Sequence, residues 1–372
     1  TDWGRDTMLS FTGLTLCTGR FEDAREILRS FALYEQNGLI PNMFPDSGEK
    51  PLYNTADASL WYFIAVYEYI GHTGDHAFIS REIYPALTRI LDAYEHGTDN
   101  HIYMEPSGLI HAGGGLDQVT WMDVRVGDMV VTPRHGCPVE INALWYNALH
   151  IGADLAERFN DHTRAVHLRQ LADKVKSVFE AVYYTGYTSN SEEKSNECGY
   201  LYDVVDGYTE DDKAGRGIGF HYEIRDAAVR PNQLYAVSLP FSPIGEEVQR
   251  QVVMTVTNEL YVGVGIRSLA PAHPDYHGEY RGALAKRDLS YHQGTAWGYL
   301  LGAYIEAYVK VYAFRPDIKE RIESLFEPII KHQGQANCIG GICEIFDGDP
   351  PHTGRGCYTQ AWSVGEILRV LY

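Results

Sequence analysis

Several things are scarce in this chain. No run of about eighteen apolar residues occurs, which argues against a membrane-spanning helix. Basic residues are few: 31 Lys and Arg stand against 50 Asp and Glu, and the resulting net charge of −19 repels phosphate backbones and acidic lipid surfaces. Nucleic acid and membrane are therefore not expected partners. The six cysteines (Cys17, Cys137, Cys198, Cys338, Cys343 and Cys357) form neither a CxxC pair nor the dense framework of a small secreted domain. They read as reduced thiols of a cytoplasmic protein. Cys338, Cys343, Cys357 and His352 fit no usual zinc-finger spacing, and neither a metal nor another cofactor is expected. Phosphate-binding glycine loops and a G-x-S-x-G elbow are also missing.

Aromatic side chains are plentiful. Tyrosine occurs 27 times and tryptophan six times, more than a core alone usually needs, and such rings suit the apolar faces of sugars as well as interhelix packing. Helical periodicity recurs along the chain, near residues 4–17, 21–36, 54–69, 76–95, 139–159, 161–182, 230–239, 244–259, 295–313, 316–332 and 359–371. The clearest stripe is Trp297, Leu300, Leu301, Tyr304, Ile305, Tyr308 and Tyr312. Short links alternate with the long segments 37–53, 100–138, 183–229, 260–294 and 333–358. Hairpins of helices closed into a ring place the long links on one face, where they build a site. A linear solenoid would show a constant repeat period, and none is present. The fold class expected is all-α, an (α/α)6 barrel over residues 1–372, with small β-hairpins in 100–137 and 183–228.

The long loops carry polar and aromatic clusters. In Gly115 to Asp123 a carboxylate, Asp123, follows Trp121 by two residues, which makes it the candidate general acid. Arg5 and Asp6 follow Trp3 at a helix start, where they either grip adjacent sugar hydroxyls or cap the helix. Asn42, Tyr53, Asn54 and Asp57 read as capping and turn residues. His292 and Gln293 precede an aromatic helix, again as hydroxyl ligands or caps. Glu344, after two glycines, is either salt-bridged to Arg355 or a base. Two carboxylates from loops over two hundred residues apart, each beside aromatics, suit glycoside hydrolysis.

Six segments resemble, in order along the whole chain, the amylo-α-1,6-glucosidase domain of glycogen debranching enzymes. They are Asp2-Trp3-Gly4-Arg5-Asp6-Thr7, Asn54 to Trp61, Thr120-Trp121-Met122-Asp123, Pro138 to Leu149, His292-Gln293-Gly294-Thr295, and Glu344 to Asp347 with Gln360-Ala361-Trp362-Ser363. The resemblance implies inverting release of the single α-1,6-linked glucose of a limit dextrin, with glycogen or branched α-glucans as partners. It makes Asp123 the acid and Glu344 the base, has Arg5 and Asp6 hold the terminal glucose, and lines the pocket with Trp3, Trp121, Glu140, His292, Gln293 and Trp297. Inversion requires carboxyls about 6.5–9.5 Å apart, with room for a water. Burial beside Trp121 and the facing carboxylate is expected to keep Asp123 protonated. Cys137 stands where this family carries a lysine, which would alter the acceptor side. The chain opens inside the first motif without an initiator Met, so an excised fragment is expected, with a twelfth helix and a β-rich domain upstream. The rival readings are a glucoamylase-like α-1,4 exo-glucosidase, an epimerase dependent on histidines, and a non-catalytic glycan-binding module.

Overall fold

The computed structural model describes residues 2–46, 48–186, 199–213, 215–335 and 339–372. Its helices are α1 (Gly4–Phe11), prolonged by a π-helical turn (Thr12–Leu16), α2 (Phe21–Leu33), α3 (Ala58–Thr73), and α4 (His76–Phe78), which runs through a second π-helical turn (Ile79–Ile83) into α5 (Tyr84–His96). They continue as α6 (Val139–Arg158), α7 (His162–Tyr183), α8 (Tyr235–Ser238), α9 (Glu246–Glu259), α10 (Leu284–Tyr291), α11 (Leu300–Tyr312), α12 (Ile318–Gln335) and α13 (Ala361–Leu371).

Packing sorts these helices into two layers. Helix α1 packs on α3, α3 on α6, α6 on α8, α8 on α11, α11 on α13, and α13 back on α1. That is a closed inner ring of six. Outside it, among the described residues, lie α2, the α4–α5 unit, α7, α9 and α12, each following an inner helix. The fold is the expected (α/α)6 toroid. Among the described residues the ring helices number eleven, as the periodicity predicts, and α10 is an extra helix within a long loop.

Sequence patterning explains the layers. Helix α6 sits between ring neighbours and α7, so it is buried on nearly every face and reads as an almost unbroken apolar run from Ile141 to Leu149. Helix α2 lies outside and has one apolar stripe, Ala24, Leu28, Phe31 and Ala32. The ring closes through glycines: a Cβ on Gly13 would lie 1.8 Å from the carbonyl oxygen of Gly365, so only glycine permits the approach of α1 and α13.

Every inner-to-outer link is short, and every outer-to-inner link is long. All inner helices therefore begin at the same end of the ring, beneath the long loops. Small sheets stiffen these loops: β1 (Asp2–Trp3) with β2 (Met43–Phe44), β3 (Tyr103–Met104) with β4 (Ile110–His111), and β5 (Arg125–Val126) with β6 (Met129–Val130). A three-stranded sheet joins β7 (Cys137–Pro138), β8 (Val204–Thr209) and β9 (His221–Asp226). The hairpins expected in 100–137 and 183–228 are present, and residues 187–198 of the second segment lie outside the described residues.

Three expectations need correction. A four-stranded antiparallel sheet, β10 (Ile266–Arg267), β11 (Ala296–Trp297), β12 (Ile345–Phe346) and β13 (Gly354–Arg355), occupies segments read as loop and helix start. Trp297 therefore ends a strand, and the helix begins at Leu300. Helix α8 is one turn, preceded by a 3-10 turn (Pro231–Leu234), because Leu239 before Pro240 is driven to extended geometry (φ −61°, ψ 156°). Helix α3 starts at Ala58 rather than Asn54, since Thr55 and Asp57 are engaged elsewhere.

Candidate active site

The antiparallel register Asp2↔Phe44 and Trp3↔Met43 fixes the entry to α1. It leaves Trp3 43 % exposed at the rim. Gly4 follows because a Cβ there would meet the Pro41 carbonyl oxygen at 2.1 Å. One residue on, Arg5 is buried and ties three segments together. Its Nε donates to Asp57 Oδ2 (2.6 Å), Nη2 to Thr55 Oγ1 (3.2 Å) and Nη1 to Asp123 Oδ2 (3.3 Å). Burial works against its charge, but these carboxylates outweigh it and raise its already high pKa. The guanidinium is thus largely occupied as a clamp that places Asp123.

Asp123 keeps 32 % of its side-chain surface open while lying deep in the site. Burial pushes its pKa up, Arg5 opposes this, and Asp57 adds to the rise. The direction agrees with an acid that holds its proton, but the contributing carboxylate is Asp57 rather than the facing Glu344. Asp6, in the first turn of α1, is raised to about 6 by burial, against Arg5 and with help from Asp123 and Glu344.

Glu344 stands just before β12. Its Oε1 accepts from the Tyr291 hydroxyl and its Oε2 from the Cys357 backbone N–H (2.8 Å). Gly356 allows that contact, since a Cβ there would sit 2.4 Å from Oε2. Arg355 pairs instead with Asp347 (2.8 Å), so no cation among the described residues forms a salt bridge with Glu344. The carboxylate is held in place by two donors and carries no counter-charge, which suits a base.

Asp123 and Glu344 line one cavity of about 650 Å³ together with Trp3, Arg5, Asp6, Trp121, Tyr291, His292, Trp297 and Trp362. The two carboxyls therefore share one hollow large enough for a sugar ring. Its aromatic wall is interlocked: His292 stacks on Trp297 (5.2 Å, 17° between planes), and Trp121 meets both edge-on. Burial, reinforced by Arg230 and Arg5, drives the His292 pKa far down. The ring is neutral, and its Nδ1 is buried with no protein partner.

Two expected pocket residues lie behind this wall. Glu140 is buried in an ion pair with Arg134 (Nη2 to Oε2, 2.6 Å), which also binds Asp203 (Nε to Oδ2, 2.7 Å). Asn232 bridges Asp203 (2.7 Å) to the indole N–H of Trp121 (2.6 Å), so Glu140 reaches the site only through a relay. Gln293 accepts from Arg230 (2.7 Å) and donates to the Val131 carbonyl (3.1 Å), so both ends of its amide have protein partners. Neither is among the residues that line the cavity, and each is held by protein partners. Cys137 is buried near the Tyr222 hydroxyl (3.7 Å) and is not among the residues that line this cavity. Tyr291 and the Arg134–Asp203–Asn232 relay escaped the sequence reading, and Asp57, read there as a capping residue, instead pairs with Arg5. Tyr291 adjoins a singled-out motif, whereas the relay joins three distant segments without a local signal. No cluster of histidine, cysteine and carboxylate groups suited to a metal occurs among the described residues, and Cys198 and Cys338 lie outside them. No helix among them is long and apolar enough to cross a membrane.

The family described as amylo-alpha-1,6-glucosidase matches residues 1–369. The glycogen debranching enzyme of Saccharomyces cerevisiae is 26 % identical over an alignment that takes in the whole chain and 29 % of that protein. The chain thus spans less than a third of this curated relative. Among solved structures, a bacterial glucoamylase complexed with acarbose superposes with a TM-score of 0.60 over 98 % of this chain and 48 % of its own, at 15 % identity.

Proposed function

We propose, from the premise that this chain belongs to the amylo-alpha-1,6-glucosidase family, that it hydrolyses glycosidic bonds with inversion. Its substrate in this reading is the α-1,6-linked glucose at the branch points of a limit dextrin, and free glucose is the product. The observation that carries the reading is a pair of carboxyls lining one cavity: Asp123, whose pKa burial pushes up, and Glu344, held by two donors and without a salt bridge among the described residues. Asp123 gives its proton to the glycosidic oxygen as that bond breaks. Glu344 removes a proton from a water that attacks the anomeric carbon from the opposite face. Asp6 is available to sugar hydroxyls, and Trp121 and Trp297 form the apolar wall.

Substitution separates the two roles. Asp123→Asn removes the proton donor and should abolish glucose release from limit dextrin, while sparing α-glucosyl fluoride, whose leaving group needs little protonation. Glu344→Gln should abolish both. Equal loss on both substrates in Asp123→Asn, or surviving dextrin hydrolysis in Glu344→Gln, would remove the assigned roles. Glucose released from linear maltooligosaccharides and not from branched ones would favour the α-1,4 reading. Sugar binding without any release would favour a binding module.

A further inference from the structure

Asp123 stands on a lightly built part of the molecule. One residue separates it from the hairpin β5–β6, which has two residues per strand and is largely exposed. A two-stranded ribbon is marginally stable by itself, so the position of Asp123 depends on what anchors the segment at its ends. Before the carboxyl the anchors are Asn232 on the Trp121 indole and Arg5 on Asp123 itself. After it, the stem of the hairpin closes where the Val131 N–H donates to the carbonyl of Val124, the neighbour of Asp123 (3.1 Å).

Among the described residues, one side chain from elsewhere in the fold hydrogen-bonds to that stem: Gln293, whose Nε2 donates to the Val131 carbonyl (3.1 Å). Its amide cannot be turned the other way. Oε1 accepts from Nη2 of buried Arg230 (2.7 Å), and a guanidinium only donates, so the NH2 end has to face Val131. Arg230 is itself fixed, giving Nη1 to the carbonyls of His292 (2.9 Å) and Ser268 (3.1 Å). The Gln293 backbone is pinned as well, its carbonyl accepting from the His277 N–H (2.6 Å) and its N–H donating to the Ser290 carbonyl (3.1 Å). Two residues upstream, Tyr291 gives its hydroxyl to Glu344. The short stretch 291–293 thus holds the base through one residue and the hairpin after the acid through another.

From this we infer that Gln293 is a positioning residue: its amide straps the hairpin that follows Asp123 to the stretch that holds Glu344, and so sets the gap between acid and base. The inference rests on the acid and base roles proposed above. That gap matters because inversion needs room for a water between the base and the anomeric carbon while the acid still reaches the glycosidic oxygen. Gln293 does not line the cavity, so it acts without touching substrate.

The test uses Gln293→Glu in the full chain. Glutamate has the same shape and still accepts from Arg230, but as a carboxylate it has no proton to offer the Val131 carbonyl. On a branched limit dextrin kcat should fall about ten- to a hundredfold, the scale of a catalytic group displaced by up to about 1 Å, with KM within about twofold. On α-glucosyl fluoride, whose leaving group needs little protonation, kcat should stay within about threefold. Gln293→Asn is uncharged but one methylene too short to span both partners. It should give the same split, and it carries the test if the glutamate variant loses its thermal unfolding transition. A raised KM with kcat intact would make Gln293 a substrate ligand. Equal losses on both substrates, or loss of the folded state in both variants, would make its role purely structural. Either result, or unchanged kinetics, overturns the inference while the hydrolase reading stands. A wild-type chain that cleaves neither substrate overturns the hydrolase reading, and the inference with it.

Discussion

Asp6→Asn should make the protein more stable at neutral pH and less active. Asp6 lies in a partly buried position beside Asp123 and Glu344, and its pKa is raised from the ordinary 3.8 to about 6. Burial is the main cause, the two carboxylates add to it, and Arg5 opposes them. The folded state binds this proton more tightly than the unfolded chain does. The favourable contribution is therefore complete below the ordinary value and is lost as pH rises through about 6. At about 1.4 kcal/mol per tenfold change, the displacement sets a ceiling of about 3 kcal/mol. Solvent reaching the side chain reduces this to about 1–2 kcal/mol. Loss of a negative charge in the first turn of α1 takes back about 0.5 kcal/mol. Denaturant unfolding of wild type and variant in parallel, from pH 4.5 to 7.5, measures the difference between the proteins. It should widen in favour of the variant by about 1 kcal/mol as pH rises. Glucose release by the variant should fall, since a group proposed to contact sugar hydroxyls is blunted. A stability difference that stays flat with pH, or shrinks, would refute the premise that the site forces a proton onto Asp6.

Two further substitutions probe the scaffold. Glu140→Ala removes one of the two carboxylates that satisfy buried Arg134, and the stability measured by urea unfolding should drop by about 3–5 kcal/mol. A loss below about 1 kcal/mol would show that Asp203 alone suffices. Gly13→Ala would press a Cβ to 1.8 Å from the Gly365 carbonyl oxygen, so thermal unfolding should show a loss of about 1–3 kcal/mol or more. Gly71→Ala, in α3 with nothing within 4 Å, should instead be neutral or stabilise by up to about 1 kcal/mol; equal behaviour of the two would discount the helix crossing.

The ring was legible because it is written in long-range regularities. Period-3.6 stripes marked the helices, and alternating link lengths placed every inner-helix start at one end. Boundaries failed where polar residues serve the site instead of the helix: Thr55 and Asp57 bind Arg5, which delays α3 to Ala58. The sheet β10–β13 was invisible because each strand has only two residues, too few to display alternation. Asp123 and Glu344, which line one cavity, stood out in the sequence by their aromatic and glycine surroundings, though those surroundings left Glu344 open between a salt bridge to Arg355 and a base. Glu140 and Gln293 have the right side-chain chemistry, but their burial against Arg134 and Arg230 depends on partners that no local pattern reveals. Tyr291 was overlooked because its role requires Glu344, which reaches it from 53 residues away.

The claim at the centre is that Asp123 protonates while Glu344 directs water across a single hollow, which is a one-displacement hydrolysis. Proton NMR of a limit dextrin digested by the chain, recorded before mutarotation equilibrates the sugar, observes this directly. The account predicts that the first glucose to appear is the β-anomer, opposite to the α-linkage cleaved. First-formed α-glucose would mean a covalent intermediate and would contradict it.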